Sequence, residues 1–579
     1  LWRRAAKAAR AAAVPAPLSS AGFIGANLAG FIATSPSLLP RTWWMWGLDY
    51  TFSLSYGYAS GWASGRLARR VLIPALRHVL GDSVPETFTP RTRSRIRALG
   101  GAVLVTASVV SFVRGTRRQR EISTLIGRRP KPPSTHLVGT VAGVGLATGV
   151  LLTARALTAT IRLYHAGLRR VIPLPGRVGA ICSLVLTGAS VVLAVDRVLR
   201  GQVLAAMIER AEHTNMLLRP GLRRPTSPLR SGSPASTEPW EALGAAGRRI
   251  VAGGAHHAVI SATIGRPALE PIRVYAGRRS DRDLDHAVQA VLDELDRTRA
   301  WERRVLALFT GTGTGWLQEW SLSAIEFLTG GDCATASLQY SSHPSGLHYV
   351  VDRKTPQRAG RMLLEAVRAH LAQLPEDARP RLFVAGESLG SFGGQAAFTD
   401  PQDMLEKVDG AVWSGTPGFT PIWNRLTRQR HHASPEIAPM IQDGKHFRFA
   451  TQPEDLDRSF TGREFGPWQH PRIAYVQHAS DPVVWWHPGL LWRRPDWLVE
   501  KAGADVSSAV RWAPWITFWQ IALDMPLSGE AGGGHGHAYH EELVPVWAAV
   551  LGIGDRDGEE PEADLEAITA AIRVHAFPA

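Results

Sequence analysis

Over the first 200 residues, polar positions fall into short basic runs separated by long stretches almost without charge. Residues 11–40 carry none, 42–65 only Asp49, and 98–113, 132–154 and 178–195 none. A helix crossing a hydrocarbon core ~30 Å thick needs about 20 such residues at ~1.5 Å rise each. The pattern predicts a helical transmembrane domain over 1–218 with about five spans, at 18–39, 43–62, 97–113, 137–154 and 178–195. The third is the shortest: its uncharged core, 98–113, reaches only ~24 Å, and helices buried in a soluble domain are the competing reading. Trp43, Trp44, Trp46 and Trp62 stand near the ends of the second segment, where interfacial anchors belong. Small residues recur four apart at Gly139/Gly143 and Gly145/Gly149, a spacing that lets helices approach closely. Residues 1–10 are basic, and the apolar stretch after them runs on into Ser35-Pro36-Ser37-Leu38-Leu39-Pro40-Arg41, which reads as an anchor rather than a cleaved signal.

Past residue 240 the period shortens. After a Pro-, Ser- and Arg-rich linker at 219–240, apolar runs at 272–275, 305–309, 334–340, 382–385, 408–413 and 472–477 alternate with amphipathic stretches at 281–301, 358–374 and 541–551. Short, wholly apolar strands alternating with helices predict a mostly parallel sheet covered by helices on both faces. Residues 241–579 therefore form an α/β domain, and 419–471 reads as a lid inserted into it.

Charge divides at the same place. The chain carries 65 Lys and Arg against 50 Asp and Glu, a net +15; up to Trp240 the count is 32 against 8, and beyond it 33 against 42. A basic surface confined to the apolar part argues against nucleic acid and for a membrane. Two cysteines, Cys182 and Cys333, exclude a disulfide framework and a cysteine-built zinc site.

The chemistry starts where the 382–385 strand stops. Gly386-Glu387-Ser388-Leu389-Gly390 is G-x-S-x-G, followed by the small-residue run at 391–397. In a chain with 56 glycines the pattern alone has little weight, but a strand before it and a helix start after it are the setting of a nucleophile elbow. Ser388 is the expected nucleophile. A serine needs a base, and the base a carboxylate to orient it; in α/β-hydrolases these follow as acid, then histidine. Asp481, in the loop after the 472–477 strand, is the expected acid, preferred over Asp409, which lies within a strand. His537 precedes the last amphipathic helix and is the expected base, with His535 as the alternative. A metal held by His535, His537 and His540 has no carboxylate or cysteine at a recognised spacing, so neither metal nor cofactor is expected. The oxyanion hole is assigned to the N–H of Leu389 and to the loop 312–316, around Gly313 and Thr314.

Together these features resemble a family of bacterial, mainly actinobacterial, membrane proteins with a multi-span N-terminal part and a C-terminal α/β-hydrolase domain. The residues that carry the likeness are Ser35 to Arg41, Gly386 to Ser391, Ser480-Asp481-Pro482 and Gly534-His535-Gly536-His537. The resemblance implies the fold, the triad and a membrane location, with no substrate attached. Seven tryptophans between acid and base, at 485, 486, 492, 497, 512, 515 and 519, point to an apolar ester or lipid, with Trp316, Trp485 and Trp486 in the substrate pocket; docking on the spans or filling the core would use the same residues. An acyltransferase sharing the acyl-enzyme, and a membrane scaffold or transporter with a vestigial hydrolase domain, are the rival functions. Counting arginines and lysines in the loops places the N-terminus inside and the catalytic domain outside the cell membrane.

Overall fold

A computed structural model describes residues 19–80, 90–171, 175–218, 220–279, 281–344, 352–460, 462–500, 503–554 and 563–577; the basic start at 1–10 lies outside them. The chain forms two compact units. A helical unit comprises Leu1–Ala206 together with Pro488–Arg494 and Ser507–Pro526, and a sheet unit comprises Met207–His487, Pro495–Val506 and Leu527–Ala579.

The helical unit contains α1 (Ser20–Ala33), α2 (Trp43–Leu67), α3 (Pro90–Leu125), α4 (Pro133–Val171) and α5 (Gly176–Val198). Ser19 and Thr42 cap α1 and α2 with side-chain oxygens that accept from Gly22 N and Met45 N. Glycines bring α1 and α2 together: a Cβ on Gly57 would lie 2.3 Å from Gly25 O, and one on Gly61 2.3 Å from Ala21 O. In α4, a Cβ on Gly139 would meet Trp43 O at 2.5 Å and one on Gly143 would meet Gly47 O at 2.6 Å, so α4 runs parallel to α2. A Cβ on Gly145 or Gly149, the second expected pair, would meet nothing beyond its own helix within 4 Å among the described residues.

Among the described residues three helices are long and apolar enough to cross a membrane, Ala98–Leu125, Pro133–Arg170 and Val178–Val198. They coincide with the last three expected spans, and the short third segment continues as helix through its basic flanks to 36 residues. The first expected span is a helix of 14 residues, and the second, of 25, falls outside that set. Large apolar side chains on α3, α4 and α5 face outward, with Leu99, Val141 and Leu193 67%, 67% and 69% exposed.

The returning segments were expected in the hydrolase domain and fold instead with the helices. In the helix Ile516–Asp524, Trp519 stacks on Phe52 of α2 at 3.9 Å, and Trp515, just before that helix, stacks on Tyr56 at 5.6 Å. Asp524 Oδ2 accepts the N–H groups of Leu38 and Leu39, which gives the Ser35 to Arg41 stretch its structural role. Aromatic faces on Trp515 and Trp519 find ring partners there, so ring stacking rather than position in the chain decides the boundary.

Among the described residues the sheet unit is built on seven strands: β1 (Ile272–Ala276), β2 (Val305–Thr310), β3 (Cys333–Leu338), β4 (Arg381–Glu387), β5 (Gly410–Ser414), β6 (Phe447–Ala450) and β7 (Arg472–Val476). They run in the order β1-β3-β2-β4-β5-β7-β6, every neighbouring pair parallel. Helices Glu319–Leu328 and Leu543–Leu551 pack with Phe309, Phe383, Val412 and Val476 in one core. Leu284–Arg297, Lys354–Leu371 and Leu389–Gln395 add further helical cover. The region is thus an α/β fold with helices on a parallel sheet, as expected.

Two boundaries differ from the sequence reading. The expected lid at 419–471 contributes β6, whose alternation is too short to register as a strand, as an edge strand on β7. The expected linker at 219–240 belongs to the sheet unit: Ser231 N donates to Arg273 O, and the buried Glu294 carboxylate accepts from Ser231, Ser236 and Thr237. Polar residues that read as loose chain are held there by that carboxylate.

Candidate active site

β4 is central, and its end controls the site. Ser388 follows it at φ 58°, ψ −123°, outside the regions a serine ordinarily occupies, and starts the helix Leu389–Gln395. Such a conformation costs about 1–3 kcal/mol and persists only where the surroundings impose it. They do so through two glycines. A Cβ on Gly386 would sit 2.6 Å from the backbone of Gly390, and one on Gly390 2.2 Å from Thr310 O. Ser388 N also donates to Ser414 O at the end of β5, 3.1 Å away.

Asp481 follows β7 and is fully buried. Its Oδ1 accepts from Val483 N at 2.8 Å, which caps the short helix Pro482–Trp485. Its Oδ2 lies 2.7 Å from His537 Nδ1 and accepts from Tyr539 Oη at 2.7 Å. The His537 ring rests on Gly415, where a Cβ would come 2.4 Å from Cε1. Gly415 directly follows the residue that holds Ser388 N, so serine and imidazole occupy neighbouring positions at the carboxyl edge of the sheet. His537 Nε2 is buried and makes no hydrogen bond among the described residues. Burial opposes the imidazolium, but the carboxylates of Asp481 and Glu387 outweigh it and hold the ring's pKa above its usual value.

The alternatives point elsewhere. His535 Nδ1 faces Asp505 Oδ2 at 3.6 Å, and His540 lies against Trp320 with ring centres 6.3 Å apart. Asp409 Oδ2 accepts from Leu382 N at the opposite, amino end of the strands.

Leu389, assigned to the oxyanion hole, is the first residue of the elbow helix, and Gly390 packs on the end of β2, where the loop with Gly313 and Thr314 begins. That loop is braced: Thr312 N donates to Trp316 O, Tyr275 Oη to Gly315 O and Gln339 Nε2 to Thr314 O. Trp316 lines a recess of about 10 Å³ together with Gln318, Glu387 and Ser414, room for about one water. Trp485 is not a pocket residue. It is 1% exposed, packs between Trp423 and Trp497, and donates through Nε1 to His478 O. Trp486, next to it, is half-buried.

The comparisons agree with this architecture. A family model described as "Alpha/beta-hydrolase family" matches residues 272–563, and a second, "Alpha/beta-hydrolase family N-terminus", matches 34–255. The chain belongs to the alpha/beta-hydrolase family. No curated protein and no solved structure matches it.

Several residues that shape this hydrolase site escaped the sequence reading. Glu387, beside the nucleophile, is buried; Gln318 Nε2 donates to it at 3.1 Å and Ser414 Oγ at 3.4 Å. Burial, against the pull of His537, pushes its pKa up to about 7. His478 stacks on Tyr539 at 4.3 Å, approaches Gly536 O through Nδ1 at 2.9 Å and reaches Glu542 through Nε2 at 3.1 Å. Ser480 Oγ donates to Asp505 and lies 2.8 Å from Gly536 N. The histidine loop is therefore fastened on both sides of His537. The available signal was the run His478-Ala479-Ser480 immediately before Asp481, which reads as turn chemistry until the two loops are brought together.

Proposed function

We propose that this hydrolase is a membrane-anchored serine esterase that cleaves an apolar acyl ester through Ser388, His537 and Asp481. The observation that carries the reading is the 2.7 Å Asp481–His537 pair at the same sheet edge as a serine in elbow geometry. His537 Nε2 takes the Ser388 hydroxyl proton as Oγ attacks the ester carbonyl, while Asp481 holds Nδ1–H and compensates the imidazolium. The tetrahedral oxyanion accepts from Leu389 N–H and from an amide of the Gly313–Thr314 loop. Collapse breaks the ester bond, and the leaving alcohol takes the proton from His537. Water then attacks the acyl-serine by the same proton route and releases the carboxylic acid. The apolar helices of the other unit support anchoring in the cell membrane, where an apolar acyl ester is the substrate at hand. With the N-terminus inside, an odd number of crossings, whether the three long apolar helices alone or all five expected spans, leaves the chain after α5 on the extracytoplasmic side.

The test is a fluorophosphonate probe on membranes, combined with ester turnover. Labelling disappears in Ser388→Ala, and turnover falls by several orders of magnitude in Ser388→Ala or His537→Ala, with little further loss in the double variant. His535→Ala retains most activity. Undiminished turnover in His537→Ala refutes the assignment.

A further inference from the structure

The helical unit contains a cavity of about 910 Å³ unrelated to Ser388, lined by α1, α2, α4 and one residue of α3, Ser108. It lies at the upper end of the ~300–1,000 Å³ of small-molecule sites. Its walls are mostly apolar along the middle, where Leu54, Val144 and Leu151 stand beside Ser55 and Thr148. Charge appears as three arginines, Arg66, Arg155 and Arg162, and among the described residues no acidic side chain lines it.

The arginines gather at one end. Because Gly47 of α2 packs on Gly143 of α4 in a parallel pair, Arg66 and Arg162, each 19 residues further on, stand at the same level. Arg155 lies seven residues earlier, ~10 Å deeper towards the middle of the helix. From Tyr50 to Arg66 the wall on α2 runs ~24 Å, more than one ~15 Å leaflet. An apolar trough of that length closed by three cations and no anion complements a molecule with a hydrocarbon tail and a negative head. An ionisable group inside a candidate span is itself a sign of a ligand or pathway.

We infer that this cavity holds one anionic glycerophospholipid, its phosphate between Arg155 and Arg162 and an acyl chain along Leu54, Val144 and Leu151. The inference rests on the membrane reading of the helices and not on the esterase chemistry. In that position the lipid is a resident ligand that fills the space between α1, α2 and α4.

The experiment uses the purified full-length protein in detergent and native mass spectrometry with phosphatidylglycerol and phosphatidylcholine of matched chains. One phosphatidylglycerol is retained in preference to phosphatidylcholine. Arg155→Gln with Arg162→Gln weakens phosphatidylglycerol about 25-fold, at roughly fivefold per cation, and leaves phosphatidylcholine unchanged. Ala147→Trp, which fills the trough, removes both lipids; an unchanged elution volume and thermal midpoint show that each variant is folded. Equal retention of the two lipids, no effect of the arginines, or displacement by free glycerol phosphate at equal concentration overturns the proposal. Carbonate extraction of the same membranes separates the failures. Release of the wild type defeats the membrane reading and the lipid with it, whereas a carbonate-resistant protein with no headgroup preference overturns the lipid alone.

Discussion

Arg273 in the sheet unit and Arg41 in the helical unit are both buried guanidinium groups flanked by two carboxylates, yet they are satisfied very differently. Arg273 donates to Glu319, to Glu326 and to Ile250 O through five contacts of 2.6 to 3.1 Å. Arg41 donates from Nη1 to Asp49 and to Ala33 O, while its Nε and Nη2 make no hydrogen bond among the described residues and Asp524 stands 4.0 Å away. Both partners of Arg273 come from one helix, Glu319–Leu328, so the cluster fixes that helix to β1 with directional bonds. The partners of Arg41 come from α2 and from the returning helix Ile516–Asp524, and attraction without complete bonding tolerates more movement. A saturated cluster sets geometry; an unsaturated one mainly sets neighbours.

The contrast has measurable consequences. Its largest is Glu326→Ala, which leaves Arg273 buried with half its carboxylate partners; unfolding free energy should fall by about 3–5 kcal/mol in thermal or denaturant melts of the purified protein. A loss under ~1 kcal/mol would mean that the bonding at Arg273 is ornamental.

Next comes Glu387, a buried carboxylate with two neutral donors, Gln318 and Ser414, and no bonded arginine among the described residues. Its pKa of about 7 exceeds the ordinary carboxylate value, so between roughly pH 4.5 and 7 the unfolded chain ionises there while the folded chain keeps its proton. Stability therefore falls as pH rises through that window, by at most about 3 kcal/mol from this group. The raised pKa of His537 acts in the same direction, with stability present below the unfolded value near 6.5 and lost as pH rises through the folded one. Melts of Glu387→Gln across pH 4 to 8 should show a flatter decline than wild type. Parallel curves would place no titration at Glu387.

The smallest effect belongs to Asp524→Asn. An amide oxygen still accepts from Leu38 and Leu39, and only the distant attraction to Arg41 is lost, so the change should stay within about 1 kcal/mol. A drop as large as that of Glu326→Ala would erase the distinction between the clusters.

What the chain made legible follows from the range of each interaction. The elbow could be read because its requirements are local: a strand, two glycines and a helix start within ten residues. Asp481 and His537 could be located because each sits just after or just before a regular element. The split of units could not be read, because Trp515 and Trp519 choose Phe52 and Tyr56 across more than 400 positions. The same holds for Trp485, whose place among Trp423, Trp497 and His478 depends on three separate segments of the chain. Glu387 was in view as a letter of the motif, but its burial and its neighbour Gln318 exist only after β4 and the β2 loop are assembled.

The interleaving of Ser507–Pro526 with the helical unit also orders events in time. A ribosome that has reached Ala206 must add another 320 residues before Pro526 exists, about 16 to 64 s at ~5–20 residues per second. During that interval Phe52, Tyr56 and the backbone of Leu38 and Leu39 await partners still to be synthesised. A chain stopped at Ala206 never receives them, and a fragment begun at Met207 carries Trp515 and Trp519 with no α2 to meet. The coding order therefore makes the two halves poor candidates for separate expression, although each has its own core.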